Sequence, residues 1–274
     1  MLGVTWITAM AFLNLTPLPV GEPPQASPSP AATGFLYKTV EVDGQKYAYC
    51  VYVPPEYTPD KPWPVVLFLH GSGERGMDGF RQTDVGIAHS IRRARNRVPA
   101  IVVMPQCRPD MYWTGPMLTM AVRCLEAASR EYHCDPERVY LTGLSMGGQG
   151  TWLLGAEYSA QFAALVPICG FAELSESSGA AARLAARLTD VPIWCFHGAM
   201  DPHVPVAKSR EMVAAIREAG GNVRYTEYPD GKHDIWDRAY NDPELWQWLF
   251  AQRRSAAAGT PDAGVDPDQA RLRP

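Results

Sequence analysis

The stretch 143–147, which reads Gly-Leu-Ser-Met-Gly, constrains the fold of this chain more than any other segment. A β-branched and aromatic run at 139–142 precedes it, and an apolar run at helical spacing, 151–158, follows it. Glycines two positions before and two positions after a serine predict a strand-to-helix turn so tight that a Cβ atom at either glycine would clash. Such a turn lifts the Oγ atom of Ser145 above a sheet edge and places the amide of Met146 at a helix N-terminus. Ser145 is therefore a candidate nucleophile.

Length and composition are those of an ordinary globular protein. The 274 residues suit one large α/β domain or two small ones, with 46% apolar and 20% charged residues. The net charge is −4, from 25 basic and 29 acidic side chains, which does not indicate a nucleic-acid partner. The arginine cluster at 92–97 is interpreted as a solvated helix end. No internal repeat is visible.

Cysteine spacing predicts neither a metal site nor a redox motif, because no two cysteines form a Cys-x-x-Cys pair. Cys169 and Cys195 lie in apolar, strand-like runs, where buried free thiols are expected. A disulfide that involves Cys107, Cys124 or Cys134 stays open for an exported protein. Histidines and carboxylates do not cluster at metal-ligand spacing, and no Walker or Gly-x-Gly-x-x-Gly pattern occurs. We predict no metal and no cofactor.

The two ends of the chain differ in composition from its middle. Residues 1–34 combine an uncharged apolar run with a Pro-, Ser- and Ala-rich spacer, which resembles a signal peptide. A disordered extension is the alternative, since no basic residue precedes the apolar run and no sharp Ala-x-Ala site follows it. Asn and Pro interrupt the run, so we expect no stable membrane span. We predict a secreted or periplasmic protein, with a cytoplasmic one as the alternative. Residues 254–274 predict a disordered tail, which leaves 35–253 as the folded domain.

Strand-like and helical runs alternate along the folded domain. Asp43-Gly44 between two alternating runs predicts a β-hairpin, and the near-continuous apolar run 63–70 is typical of a central strand buried on both faces. Further strands are predicted at 100–104, 139–142, 162–169, 192–197 and 223–228, and helices at 85–97, 116–132, 151–158, 179–188, 204–219 and 236–250, the last broken near 241–243. This alternation predicts an α/β fold with a mostly parallel central sheet, helices on both faces and an N-terminal antiparallel hairpin.

A glycine-rich loop, 70–76, follows the first buried strand and reads His-Gly-Ser-Gly-Glu-Arg-Gly. In open α/β sheets, ligands bind at the carboxyl ends of the strands. Acyl transfer requires two backbone N–H groups at the developing oxyanion, one from the residue after the nucleophile and one from a loop after an earlier strand. We expect the amides of Met146 and Ser72 to fill these positions; an ordinary glycine turn is the alternative. His70 is expected to make a structural hydrogen bond.

Asp201 and His233 supply the remaining groups that a serine nucleophile needs, a base and a carboxylate that orients it. Asp201 follows the predicted strand 192–197, and His233 follows the strand 223–228, so that each lies at a strand end. His203 is the competing base, but it lies only two residues from Asp201, without an intervening strand. His197, just before this loop, is expected to brace it.

These segments together resemble the α/β-hydrolase superfamily. The similarity lies in the serine turn, the loop 70–76 and the segment 197–205, which reads His-Gly-x-x-Asp-x-x-Val-Pro. They look closest to its small secreted carboxylesterases, a group similar to polyhydroxybutyrate depolymerases and feruloyl esterases. Some members of that group are labelled predicted peptidases. The run His233-x-x-Trp236-x-x-x-Tyr240 is similar to the same group, and the likeness covers about 35–252.

The resemblance implies a serine esterase that acts on small-molecule or polymer esters through an acyl-enzyme at Ser145. Because no long helical insertion follows the predicted strand 162–169, we expect no large lid, and an open cleft that accepts short-chain or aryl esters. Trp113, in the loop 105–116, and Trp236 are candidates for substrate contacts, with simple loop packing as the alternative for the former. Two other functions stay open. One is a serine peptidase of the prolyl-oligopeptidase type, and the other is a non-catalytic binding protein on a hydrolase scaffold. The sequence does not predict an oligomeric state.

Overall fold

Eight strands form one sheet in the computed structural model, which describes residues 31–173 and 179–254. The strands are β1 (Gly34–Val42), β2 (Gln45–Val53), β3 (Trp63–Leu69), β4 (Ile101–Pro105), β5 (Cys134–Leu144), β6 (Ala164–Ile168), β7 (Ile193–Gly198) and β8 (Val223–Tyr228). The helices are α1 (Ile87–Arg93), α2 (Pro116–Glu131), α3 (Met146–Glu157), α4 (Ala180–Ala185), α5 (Ala207–Glu218), α6 (Trp236–Asn241) and α7 (Pro243–Ala251). The predictions for the leader and for the tail beyond residue 254 lie outside the described residues.

The strand order is β1-β2-β4-β3-β5-β6-β7-β8. The pairs β1–β2 and β2–β4 are antiparallel, and every other neighbouring pair is parallel. The predicted fold class, a mostly parallel sheet with an N-terminal antiparallel hairpin, is therefore confirmed. Because the strands from β3 to β8 run in one direction, the loops that follow them meet along one edge of the sheet.

The hairpin turn has the backbone conformation that the Asp-Gly pair predicts. Asp43 has a φ of 50° and Gly44 a φ of 74°, so both central residues lie in the left-handed region. Two positive φ angles are the mark of a type I′ turn, whose twist matches that of the flanking strands. The pairing of Val42 with Gln45 closes the turn and sets the register of the whole hairpin.

The sheet separates two apolar cores, with helices on both faces as predicted. In β3, Leu67 and Leu69 pack into the core covered by α2, α3, α4 and α5. Val66 and Phe68 pack into the core covered by α1, α6 and α7. Since both faces of β3 are covered, its sequence shows no polar alternation. Within the described part of the chain, no helix is long and apolar enough to cross a membrane.

Helix α1 and strand β5 differ most from the bounds that the sequence predicts. Helix α1 spans seven residues rather than 85–97, because Ala94 adopts an extended conformation with a φ of −153° before the short 3₁₀ helix Arg95–Arg97. Strand β5 begins at Cys134, five residues before the predicted strand 139–142, and includes Asp135 and its polar neighbours. The register against β3 shifts there, and the Asp135 carboxylate accepts the backbone N–H of Glu137 at 3.0 Å, as in a turn. The strand therefore contains a bulge with turn-like hydrogen bonding.

Candidate active site

Ser145 lies between β5 and α3 in a strained backbone conformation. Its φ is 53° and its ψ is −117°, a combination that costs on the order of 1–3 kcal/mol for a residue with a Cβ atom. The backbone N–H of Ser145 donates to the carbonyl of Ile168 at the end of β6 (2.9 Å), and its carbonyl accepts from the N–H of Gln149 (3.0 Å). Neighbouring elements thus hold the strained residue in place. Helix α3 starts directly after it at Met146, as the serine turn predicts, and five residues before the apolar run 151–158.

The two flanking glycines are required by close backbone contacts. A Cβ atom on Gly147 would lie 1.9 Å from the carbonyl oxygen of Leu69. A Cβ atom on Gly143 would lie 2.3 Å from the carbonyl oxygen of Gly147. Both obstacles are backbone atoms, so rotation of a side chain cannot relieve them. Glycine is therefore required at both positions, as the sequence predicts.

We expect the substitution Gly147→Ala to destabilise the protein by about 3 kcal/mol or more, because β3 and α3 must separate to admit the methyl group. Urea denaturation followed by circular dichroism measures this loss. Gly73→Ala is a matched control in the loop after β3, since a Cβ atom there meets nothing within 4 Å. Equal stability of the two variants would contradict the contact geometry.

Ser145, His233 and Asp201 meet at the carboxyl edge of the sheet. His233 lies in the loop after β8, and its Nε2 atom is 2.9 Å from the Oγ atom of Ser145. Its Nδ1 atom is 2.6 Å from the Oδ2 atom of Asp201, in the loop after β7. The carboxylate accepts only, so Nδ1 carries the proton in a neutral ring and Nε2 presents a lone pair to the serine hydroxyl.

The carboxylate of Asp201 is fully buried and well supplied with donors. Its Oδ1 atom accepts the backbone N–H groups of His203 and Val204, at 2.8 Å and 2.9 Å. Burial alone would raise the pKa of Asp201, but the hydrogen bonds from His233 and from these two amides outweigh it, so the pKa lies below its usual value. The group is therefore an anion at neutral pH, as the partner of a histidine base must be.

His203 and Trp236 flank the ring of His233. The ring centroids are 5.2 Å and 5.4 Å away, and both contacts are edge-on. His203 gives its backbone N–H to Asp201, while the position between the acid and the serine is taken by His233. Trp236, a candidate for a substrate contact in the sequence, is half-buried beside His233, and its contact with substrate stays a prediction.

Hydrogen bonds from the buried ring of His70 hold the loop after β3 in place. The Nε2 atom of this buried ring accepts the backbone N–H of Cys107 at 2.9 Å, so that Nδ1 carries the proton and donates to the carbonyl of Gly71 at 2.6 Å. Ser72 opens the 3₁₀ helix Ser72–Glu74, and Met146 is the first residue of α3, whose leading amides lack intrahelical acceptors. The two expected oxyanion donors thus lie just after the carboxyl ends of the adjacent strands β3 and β5, and their binding of an oxyanion stays a prediction.

Trp113 does not line a cleft, contrary to the expectation from the sequence. Its side chain is fully buried and donates from Nε1 to the carbonyl of His70 at 2.9 Å. Its ring lies edge-on to that of His70, with centroids 5.0 Å apart, and its Cβ atom packs against Gly150 of α3. Loop packing, the alternative left open by the sequence, therefore describes this residue. It supports the loop that carries Ser72 and does not face substrate.

Folding stability should decrease below about pH 6.5 through His70. Burial lowers the pKa of His70 to about 4, whereas an unfolded histidine titrates near 6.5. Between these two pH values the unfolded chain binds a proton that the folded protein excludes. The free energy of unfolding therefore decreases as the pH is lowered, by about 3 kcal/mol in total. Urea midpoints of the wild type and of His70→Gln, compared from pH 7 to pH 5, measure this contribution. If His70→Gln lost stability with decreasing pH as steeply as the wild type, the loss could not be due to His70.

All six cysteines lie in the described residues and are unpaired. The disulfide left open for Cys107, Cys124 or Cys134 is therefore not formed. One group of three residues, Cys169, His197 and Asp201, brings potential metal-ligand atoms within 4.8 Å of one another. Its atoms are engaged in hydrogen bonds, including one from the Cys169 thiol to the carbonyl of His233 (3.2 Å). The group therefore belongs to the surroundings of the triad, and we assign it no metal.

The residues 121–243 match a protein family described as Phospholipase/Carboxylesterase. The matched range contains Ser145, Asp201 and His233, and the sheet order and the serine turn agree with it. The chain belongs to the α/β-hydrolase superfamily. This assignment confirms the resemblance seen in the sequence at the level of the superfamily.

Individual relatives of this α/β-hydrolase are similar over most of its described domain. A thermostable esterase of known structure is 36% identical, with a TM-score of 0.70, over 80% of this chain and 63% of its own. A ferulic acid esterase structure, 21% identical with a TM-score of 0.63 over 79% of this chain and 96% of its own, shares the fold. An uncharacterized secreted protein of Arthroderma benhamiae is 28% identical over 71% of this chain, which spans 24% of that protein.

Proposed function

We propose that this α/β-hydrolase is a serine esterase that cleaves carboxylic esters through an acyl-enzyme. The observation that carries the proposal is the unbroken hydrogen-bond path from Ser145 Oγ through His233 to Asp201, with distances of 2.9 Å and 2.6 Å. These distances lie within the range in which a base can take the proton of an attacking hydroxyl. The order of donors and acceptors along the path also suits proton transfer from serine to histidine.

In the first step, the Nε2 atom of His233 takes the hydroxyl proton as Ser145 Oγ attacks the ester carbonyl carbon. The anion of Asp201 stabilises the imidazolium that forms and keeps the ring in its orientation. The backbone N–H groups of Ser72 and Met146 receive the developing oxyanion. Loss of one such donor typically reduces the rate by about 10²–10³.

In the second half of the cycle, the imidazolium of His233 protonates the leaving alcohol, and the acyl group stays on Ser145. Water then enters, gives a proton to His233 and attacks the acyl carbon. Collapse of this second tetrahedral intermediate returns the proton to Ser145 Oγ and releases the carboxylic acid. Acylation and deacylation thus use the same three side chains, Ser145, His233 and Asp201.

Esters of short-chain or aryl acids are the substrates that we propose. The name of the thermostable esterase and the description of the matched family support ester chemistry over peptide hydrolysis. A serine peptidase would use the same triad, so the geometry of Ser145, Asp201 and His233 does not separate the two activities. A binding protein on this scaffold would not need the aligned proton path described above.

A panel of substrates tests the proposal on the purified protein. It contains nitrophenyl esters of increasing acyl length, a feruloyl ester and an aminoacyl amide, together with labelling by a fluorophosphonate probe. We expect labelling at Ser145 and ester turnover far above amide turnover. Amide turnover above ester turnover would favour the peptidase, and the absence of both labelling and turnover would favour the binding protein.

We also propose that the protein is exported. The apolar, uncharged N-terminal run supports this, as does the name of the secreted Arthroderma benhamiae relative. Expression of the full chain in a bacterial host, followed by fractionation and N-terminal sequencing, tests the proposal. Full-length protein confined to the cytoplasm would contradict it.

A further inference from the structure

A second buried histidine contacts the carboxylate of Asp201. His197 lies near the end of β7, and its side chain is fully buried. Its Nε2 atom is 3.1 Å from Asp201 Oδ2 and 3.0 Å from the carbonyl oxygen of Val204. Its Nδ1 atom is 2.7 Å from the hydroxyl of Ser209 on α5. The oxygen that binds His233 is therefore shared by two imidazole rings.

The hydrogen bonds of His197 determine where its proton lies. The carbonyl of Val204 can only accept, so the Nε2 atom of His197 must carry a proton. Burial lowers the pKa of His197 more than its neighbours raise it, so the ring is neutral at pH 7. Nδ1 is then an acceptor, and the hydroxyl of Ser209 gives its one proton to Nδ1 at 2.7 Å rather than to the carbonyl of Gly170 at 3.3 Å. Donors thus point from Ser209 through His197 towards Asp201.

We propose that His197 is a positioning residue for the acid–base pair, which holds Asp201 Oδ2 towards His233 and limits how strongly that oxygen attracts the His233 proton. The inference rests on the proposed function, because it assigns His233 the role of base. Two backbone amides already hold Oδ1, so the carboxylate remains attached without His197. The specific contribution of His197 is therefore made at Oδ2.

The sign of the effect follows from the sharing of one oxygen. Each donor to a carboxylate oxygen reduces the negative charge that is left for the next donor. Without the His197 N–H, Asp201 Oδ2 binds the Nδ1 proton of His233 more tightly and stabilises the imidazolium more strongly. His233 should then become neutral only at a higher pH, and the acid limb of the pH–rate profile should move to higher pH.

Few other titratable groups face this cluster among the described residues. They are Cys169, which follows β6, Cys195 of β7, Glu227 of β8, His203 beside His233, and Asp234, which follows His233 in the chain. Burial raises the pKa of Cys195 to about 12, so this thiol is neutral. Burial raises the pKa of Cys169 well above its usual value, so this thiol is neutral. The Arg210 guanidinium lowers the pKa of Glu227 to about 2, so this carboxylate stays ionised. The ring of His203 contacts that of His233, and the profile is therefore also measured in a His203→Ala background.

Two substitutions at position 197 separate the contacts of the ring. In His197→Asn, the amide reaches the position of Nδ1 and keeps the contact to Ser209, but not the one to Asp201. In His197→Gln, the longer side chain places a donor near the position of Nε2. We expect kcat of the Asn variant to fall about tenfold with little change in KM. The midpoint of the acid limb of its pH–rate profile should move to higher pH by about half a unit. The Gln variant should recover most of both.

A spectroscopic measurement tests the same inference without turnover. The low-field proton resonance of His233 Nδ1–H should shift in His197→Asn and return in His197→Gln. An unchanged resonance and an unchanged acid limb in a folded Asn variant would overturn the inference, as would equal losses in both variants without a change in profile. If the Asn variant does not fold, Ser209→Ala provides the test. Loss of the hydroxyl that donates to Nδ1 makes the Nε2–H group of His197 a weaker donor to Asp201. The pH–rate profile should then shift in the same direction as in the Asn variant, but by less. A wild type that hydrolyses no ester and takes no fluorophosphonate refutes the proposed function, while the resonance still reports on the hydrogen bond.

Discussion

Ester turnover by Ser145→Ala should fall by about 10⁵–10⁶ relative to the wild type, because no other group occupies the position from which Oγ attacks. The side-chain hydroxyl donates its hydrogen bond to Nε2 of His233, whereas the backbone hydrogen bonds that fix the residue are made by its N–H and carbonyl groups. Alanine retains both backbone groups. We therefore expect the melting temperature to change little while the rate is lost. Nitrophenyl ester hydrolysis and fluorophosphonate labelling measure the loss.

The control for this variant separates the loss of the nucleophile from the loss of the fold. Circular dichroism should give the same spectrum and nearly the same thermal midpoint for Ser145→Ala and the wild type. Alanine has a Cβ atom just as serine does, so the strain at a φ of 53° is unchanged. A folded variant with wild-type turnover would show that another side chain is the nucleophile, and would remove Ser145 from the mechanism.

Much of the fold could be predicted because apolar runs differ in period between strands and helices. The buried run that forms β3 and the Asp43-Gly44 turn each have a local physical signature, and both were placed within a residue or two. Strand β5 was predicted too short because Asp135 and its neighbours have turn chemistry, which the sequence does not distinguish from a bulge. The start of helix α3 at Met146 was predicted by the serine turn and not by the apolar run 151–158, because the first helical turn contains glycines that close packing requires and apolar periodicity ignores.

The candidate site could be predicted where chain order carried the information. The proximity of Asp201 and His233 to Ser145 could be predicted because each follows a parallel strand, and the carboxyl ends of such strands meet at one edge. Trp113 was misassigned because an aromatic residue in a loop has no sequence signal for burial, and its partner, the carbonyl of His70, is 43 residues away. For His197, the expected bracing of the loop was found, but the shared oxygen of Asp201 depends on distances that no local pattern encodes.

His233→Ala should reduce kcat/KM by a factor similar to that of Ser145→Ala, about 10⁵–10⁶, because serine without a base remains a weak nucleophile. The variant leaves Asp201 bound by two backbone amides and by His197, so the loop after β7 should keep its conformation. Added imidazole should restore part of the activity by entering the space left by the ring. Kinetic constants with and without imidazole, and a thermal melt, provide the measurements.

His203→Ala is the matched control, since its ring lies only 5.2 Å from that of His233. This substitution keeps the backbone N–H that His203 gives to Asp201, and should therefore alter turnover by no more than a few fold. Activity that survives in His233→Ala but disappears in His203→Ala would make His203 the base. The double variant Ser145→Ala/His233→Ala sharpens the assignment further, because residues that act as one unit are not additive. Its rate should equal that of either single variant, whereas two independent contributions would multiply.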